Sequence, residues 1–303
     1  MPDRPNPLVV REVGVVASRS LRDGATGRIG PVFDRSFYVV LDGQWVCFGS
    51  PGLGSGPLNA LFAASAPRLA GGQTCHVADG TLLVDGSPLA SLTGASIWQP
   101  TAPSSWCIDT LDAGLKFFDA PRNKLRARDA LGLIDGPGST PISANLAAAA
   151  FRPAHCLAET TRHAFAGGIE AGTENFSGCA GLLGLGPGLT PSGDDVIGGA
   201  MIALTMLGCH RLRDTLWASL RDHAPDRTTD LARAHLAAAA EGWGAAPLHA
   251  TLTSLLVADM SGLLAALTEL DAVGHSSGWD SLAGALLVLR SYRDTRIAPL
   301  GIK

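Results

Sequence analysis

"RSFYVVLDGQWVCFG", residues 35–49, is two runs of β-branched and aromatic residues joined by Asp42-Gly43. An Asp-Gly pair supplies two successive positive-φ positions at little cost, so the stretch reads as a β-hairpin with a two-residue turn. "QTCHVADGTLLVDGSPL", residues 73–89, repeats the device at Asp79-Gly80 and again at Asp85-Gly86. Hairpins pair antiparallel, which favours an antiparallel sheet or a small barrel over a doubly wound parallel sheet. Between the two stretches, "GSPGLGSGPLNALFAAS" (49–65) reads as a glycine-rich loop entering a short helix near Leu58. Residues 109–118 read as one further helix.

The pattern changes downstream to alanine- and leucine-rich helical periodicity, with candidate helices at 142–151, 154–167, 191–208, 211–222, 228–242, 247–258, 260–271 and 277–291. "TTDLARAHLAAAAEGW" (228–243) has hydroxyls ahead of its apolar stretch and a glycine at its end, as helix start and stop signals require. The fold class is therefore α+β. A β-rich N-terminal domain covers 1–118, a polar and turn-rich connector 119–141, and an all-helical domain 142–303.

The 303 residues carry 27 acidic against 23 basic side chains, a net charge of −4, so no basic face recommends a nucleic acid or an anionic membrane as partner. The six cysteines (47, 75, 107, 156, 179, 209) show neither a C-x-x-C pair nor zinc-ligand spacing, which fits reduced thiols. The start, "MPDRPNPLVVREVG", lacks an apolar core of signal-peptide length, and the longest apolar run, 196–209, is too short to span a bilayer. These features place the chain in the cytoplasm.

One stretch of the helical part departs from ordinary helix punctuation: "GLGPGLTPSGDD", 184–195. Thr190 before Pro191 fits an N-cap with proline at the first helical position, and Ser192 is the alternative cap. Gly184, Gly186 and Gly188 permit positive φ, so their amides can converge as a nest on a helix N-terminus that suits a carboxylate or phosphate. Asp194 and Asp195 point about 100° apart, so one can face a substrate N–H or a cation such as Mg²⁺ while the other meets backbone donors. Complementing the helix dipole is their plainer role. No lysine follows the glycines as in a Walker motif, and no parallel βαβ unit surrounds them as in a dinucleotide site.

"GHSSGWDSLAGALLVL", 274–289, echoes that stretch. Ser192-Gly193-x-Asp195-x-x-x-Gly199-Ala200 is matched by Ser277-Gly278-x-Asp280-x-x-x-Gly284-Ala285. A mid-helix glycine costs about 1 kcal/mol against alanine, so its presence in both helices asks for a packing reason. Close approach through Gly199 and Gly284 would bring both N-termini into one site with Ser276 and His275. His275 is then the first candidate for a titrating group, and the other histidines read as structural or surface residues. Gly54 and Gly56 of the 49–57 loop, with Asn59 just after it, are a second candidate wall. No G-x-S-x-G elbow supports serine-hydrolase chemistry.

Both stretches resemble the signatures of the AllH-like family, G-x-GPGLTPS-x-DD and GHTSG-x-D-x-L-x-G. Weaker agreement extends over roughly residues 12–290, including "GPVFDRSFYVVLDG", "GLGSGPLNALF", and Thr228-Thr229 ahead of "LARAHLAAAAEG" and "APLH". Ser276 stands where threonine is common, and Gly193 fills a variable position. The resemblance implies a subunit acting beside FdrA-like and AllG-like proteins in an oxamate carbamoyltransferase of allantoin breakdown. That enzyme interconverts oxamate plus carbamoyl phosphate with oxalurate plus phosphate. Glycine amides and helix N-termini suit the anionic oxygens of these substrates, and Asp194, Asp195 or Asp280 suit their N–H₂ groups, with His275 as proton shuttle. Two other readings stay open: a non-catalytic assembly or effector-binding subunit, and a stand-alone enzyme on another small amide or carboxylate.

Overall fold

The computed structural model describes residues 6–120, 141–167 and 174–297. The chain divides into two compact units, Met1–Pro100 and Thr101–Lys303. Most of the expected 119–141 connector, residues 121–140, lies outside the described residues.

The first unit is a β-barrel. Its strands are β1 (Leu8–Gly14), β2 (Thr26–Val32), β3 (Ser36–Leu41), β4 (Gln44–Gly49), β5 (Asn59–Phe62), β6 (Thr74–Ala78), β7 (Thr81–Val84), β8 (Ser87–Ser91) and β9 (Ser96–Trp98), with a short helix α1 (Val15–Ser20) after β1. Three turns do what their Asp-Gly pairs dictate. Asp42, Asp79 and Asp85 have φ of 47°, 50° and 46°, and each is followed by a positive-φ glycine. They join β3 to β4, β6 to β7 and β7 to β8 as antiparallel hairpins. The order β5-β4-β3-β2-β6-β7-β8-β1 closes because β1 also pairs with β5, Val10 opposite Phe62. The far edge of β1 is shared: Leu8 and Val9 pair in parallel with β8, and Glu12 to Gly14 pair in parallel with β9. Closure leaves no open edge on the eight strands and points Phe37, Phe48 and Phe62 inward, where Phe37 and Phe48 stack at 5.4 Å.

The helix expected near Leu58 is instead strand β5. Pro51–Leu53 forms a single 3₁₀ turn, and Asn59 to Leu61 pair in parallel with β4. Leucine and alanine favour helix locally, but closing the barrel demands a strand there, and pairing on both edges overrides propensity.

The second unit is helical: α2 (Ile108–Asp119), α3 (Pro141–Gly167), a 3₁₀ segment at Ser177–Leu182, α4 (Ser192–Met206), α5 (His210–Leu220), α6 (Ala224–Arg227), α7 (Asp230–Ala240), α8 (Ala246–Val257), α9 (Met260–Leu270) and α10 (Ser277–Ile297). The two helices expected at 142–151 and 154–167 are one, because α3 runs through Pro153. Proline forfeits one N–H there, and burial of Ala150, Ala154 and Leu157 in the unit's core offsets that loss. α4 is apolar on every face, the signature of a helix at the centre of a core. α5, α7 and α10 pack against α4, and α3 packs against α10.

Candidate functional site

The glycine turn is shaped by what its missing side chains admit. Gly184, Gly186 and Gly188 have φ of 70°, 118° and 98°. A Cβ on Gly184 would lie 1.8 Å from the Arg227 carbonyl oxygen, so the turn sits directly against the chain that enters α7. The cap of α4 is Pro191, in extended conformation, and neither Thr190 nor Ser192 caps the helix. Gly193 N–H donates to the Leu185 carbonyl at 2.8 Å, and Asp194 N–H to the Pro191 carbonyl at 2.9 Å, so part of the amide nest is spent on the turn itself.

Asp194 holds this region together. It is buried, accepts from Gly184 N–H at 3.2 Å, and accepts from the Thr228 hydroxyl. Burial raises its carboxyl above the usual range, and the Thr228 and Gly184 hydrogen bonds pull the other way. Thr229 caps α7 by accepting from Ala232 N–H at 3.0 Å and donates to the Leu189 carbonyl. The start of α7 is thereby tied to the turn.

α10 arrives from the other side. A Cβ on Gly199 would lie 1.8 Å from the Ser281 carbonyl oxygen, and one on Gly284 would lie 1.9 Å from that of Val196. The contact is reciprocal: each glycine receives the carbonyl that follows the other motif's aspartate. Backbone meets backbone, and the helices approach most closely between the fifth and eighth residues of each. Thr190 Oγ1 stands 3.3 Å from Ser277 Oγ, and the Ser277 hydroxyl also bonds Asp195. Asp195 and Asp280 occupy the fourth position of their helices. Asp280 is fully buried. Asp195 is partly buried as a residue, yet its Oδ2 is sealed from solvent and has no hydrogen-bond partner among the described residues. Burial pushes the Asp195 carboxyl well above the ordinary carboxylate range; the Ser277 hydrogen bond opposes this, and Asp280 and Asp194 add to it.

Residues 182–289 match the family model of oxamate carbamoyltransferase subunit AllH. The AllH match begins just ahead of the glycine turn and ends in α10, so it contains both aspartate motifs and α7 and leaves the barrel outside. No solved structure matches the chain.

Within the matched residues, Ser192 and Gly278 are buried, while Ser276 and Ser277 are partly buried. His275 is exposed, on the turn between α9 and α10. Gly54, Gly56 and Asn59 belong to the barrel, on the connection from β4 to β5, where Asn59 Nδ2 donates to the Gly54 carbonyl at 2.9 Å. Among the described residues no group of three or more His, Cys, Asp and Glu side chains is placed to hold a metal ion, and no helix is long and apolar enough to cross a membrane.

Two contributions escaped the sequence reading. Trp279 is buried and its Nε1 donates to Asp271 at 2.8 Å, fixing the turn that presents Ser277. An aromatic between Gly278 and Asp280 was the available signal. His249 is also buried and accepts from Gly244 N–H at 3.1 Å through Nε2; burial pulls it down to about 4, so it stands neutral in the core.

Proposed function

We propose that this chain is a subunit of a carbamoyltransferase complex of the oxamate type, working with FdrA-like and AllG-like partners, and that the crossing of α4 and α10 holds its small amide-bearing substrate. The observation that carries the reading is that Asp195, bonded by Ser277 beside the Thr190 hydroxyl, lies within the field of buried Asp280 from the other motif and has one sealed carboxylate oxygen left for an external donor. A buried acceptor without a donor is costly in a finished core and is accounted for by a ligand N–H.

In the transfer, the amide nitrogen of oxamate attacks the carbamoyl carbon, the bond to phosphate oxygen breaks, and the nitrogen loses a proton. Asp195 and Asp280 suit the amide. The first turns of α4 and α10, with Ser192, Ser276 and Ser277, suit the anionic oxygens. Exposed His275 is assigned the proton. Asp194 has both oxygens engaged by Gly184 and Thr228, and its part is to hold the turn.

The test is turnover by the reconstituted complex. Asp195→Ala and His275→Ala each lower kcat by at least about 100-fold, the lower range for lost acid–base or amide-positioning groups. Full turnover by either variant removes that residue from the mechanism.

A further inference from the structure

Oxamate and carbamoyl phosphate are both anions, whereas the two motifs carry Asp194, Asp195 and Asp280. The partial charge of a helix N-terminus offsets little of that repulsion, so a small anion held there calls for a full positive charge. The 182–289 region contains no lysine, and its arginines are Arg211, Arg213, Arg221, Arg227 and Arg233. Arg213 and Arg221 pair with the aspartates that follow them, Asp214 and Asp222. Arg211 is exposed at the start of α5, past the end of α4 opposite the glycine turn. Arg227 donates from Nη1 to the Ala180 carbonyl at 2.9 Å.

Arg233 is placed differently. Its backbone N–H donates to the carbonyl of Thr229 at 3.0 Å, the same residue whose hydroxyl donates to the Leu189 carbonyl of the glycine turn. The next residue of that turn, Thr190, faces Ser277. Helical side chains lean toward the N-terminus, and Arg233 Nη2 accordingly pairs with exposed Asp230, three residues back. Its Nε is sealed from solvent with no acceptor among the described residues. A guanidinium N–H buried without an acceptor is costly, and an ion pair with an exposed carboxylate holds the group only weakly.

We propose that Arg233 is the cation that binds the anionic oxygens of the ligand at the glycine turn. The identity of that anion rests on the carbamoyltransferase reading: it is the carboxylate of oxamate or the phosphate of carbamoyl phosphate. Either presents two oxygens to the planar Nε–Nη2 edge of the guanidinium, which takes them side by side. The ligand exchanges with Asp230 for Nη2 and gives Nε its acceptor.

Calorimetric titration of the full chain with oxamate, with inorganic phosphate and with oxamide, the neutral diamide of similar shape, tests the assignment without any need for turnover. Arg233→Gln is expected to weaken binding of one anion by about 10- to 100-fold, the range for hydrogen bonds to a charged group, and to leave oxamide unaffected. A loss for oxamate assigns the carboxylate, and a loss for phosphate assigns the phosphoryl group. Arg233→Lys keeps the charge without the planar fork and is expected to fall between wild type and Arg233→Gln. Asp230→Asn removes the competing carboxylate and is expected to bind the anion no more weakly than the wild type. Circular dichroism checks each fold, and if Arg233→Gln does not fold, Arg233→Lys decides. Equal affinities of wild type and Arg233 variants for both anions, a loss that extends equally to oxamide, or a wild type that binds neither anion overturns the proposal. A reconstituted complex carrying Arg233→Gln that transfers carbamoyl groups with unchanged KM values sinks the role of Arg233 alone. Charge-selective binding by a chain whose complex shows no carbamoyl transfer sinks the function alone.

Discussion

At the scale of single residues, the hydroxyls and carboxylates of the site do different work from the work their positions suggest. Thr190 stands in a cap sequence, yet its hydroxyl meets Ser277, and Pro191 is the cap. Sequence shows that a helix begins there; which side-chain oxygen faces a helix 85 residues away depends on tertiary packing that no local pattern encodes. Asp194 and Asp195 are adjacent and separate in role, as the helical rotation between them requires. Thr228→Val leaves a buried Asp194 oxygen without its donor and is expected to cost about 1–3 kcal/mol in urea unfolding. Asp195 tests the opposite effect. Its raised pKa means that the folded chain keeps a proton the unfolded chain has released, so the stability linked to it is present below about pH 4 and declines as pH rises. Asp195→Asn removes that decline. The Tm of the variant relative to wild type is expected to grow between pH 4 and pH 8, and an unchanging difference would show that Asp195 ionises freely.

Among the elements, the crossing of α4 and α10 was legible in the spacing of two glycines, because a mid-helix glycine repeated at the same offset from an aspartate has few other uses. The cost of filling it follows from distance. Gly199→Ala and Gly284→Ala drive a methyl group into a backbone carbonyl and are expected to destabilise by about 1–3 kcal/mol or more while parting the two first turns. Gly198 is the internal control. Its Cβ would meet only Ala239 Cβ at 3.6 Å, an ordinary contact, so Gly198→Ala is expected to be neutral or stabilising by up to about 1 kcal/mol through helix propensity. Denaturant midpoints of the three variants decide it. Elsewhere, hairpins with Asp-Gly turns could be read directly because the turn chemistry is local. Strand β5 could not, since its pairing partners β1 and β4 define it from both sides. The same holds for α3, where a proline that reads as a break is absorbed by packing.

Over the whole molecule, the order of a β-rich part followed by a helical part was visible in periodicity alone, and closure of the sheet into a barrel was one of two outcomes the hairpins allowed. Buried histidines set how the helical unit responds to acid. A histidine ordinarily titrates near 6.5, whereas His249 is held near 4, so on acidification the unfolded chain takes up the proton first. The stability His249 contributes is complete above pH 6.5 and is lost as pH falls toward 4, up to about 3 kcal/mol across that window. Partly buried His235, also drawn down to about 4 by desolvation, acts in the same sense. A chain whose unfolding free energy is flat between pH 4 and pH 6.5 would contradict this. The site itself depends on the meeting of α4 and α10, and ligand-induced thermal stabilisation of the full chain measures that dependence most directly. Oxamate at 100 times its Kd is expected to stabilise the wild type by about 2.7 kcal/mol, and Asp195→Asn and Asp280→Asn are expected to lose most of that gain. Equal stabilisation of wild type and both variants would place the ligand elsewhere and contradict the account.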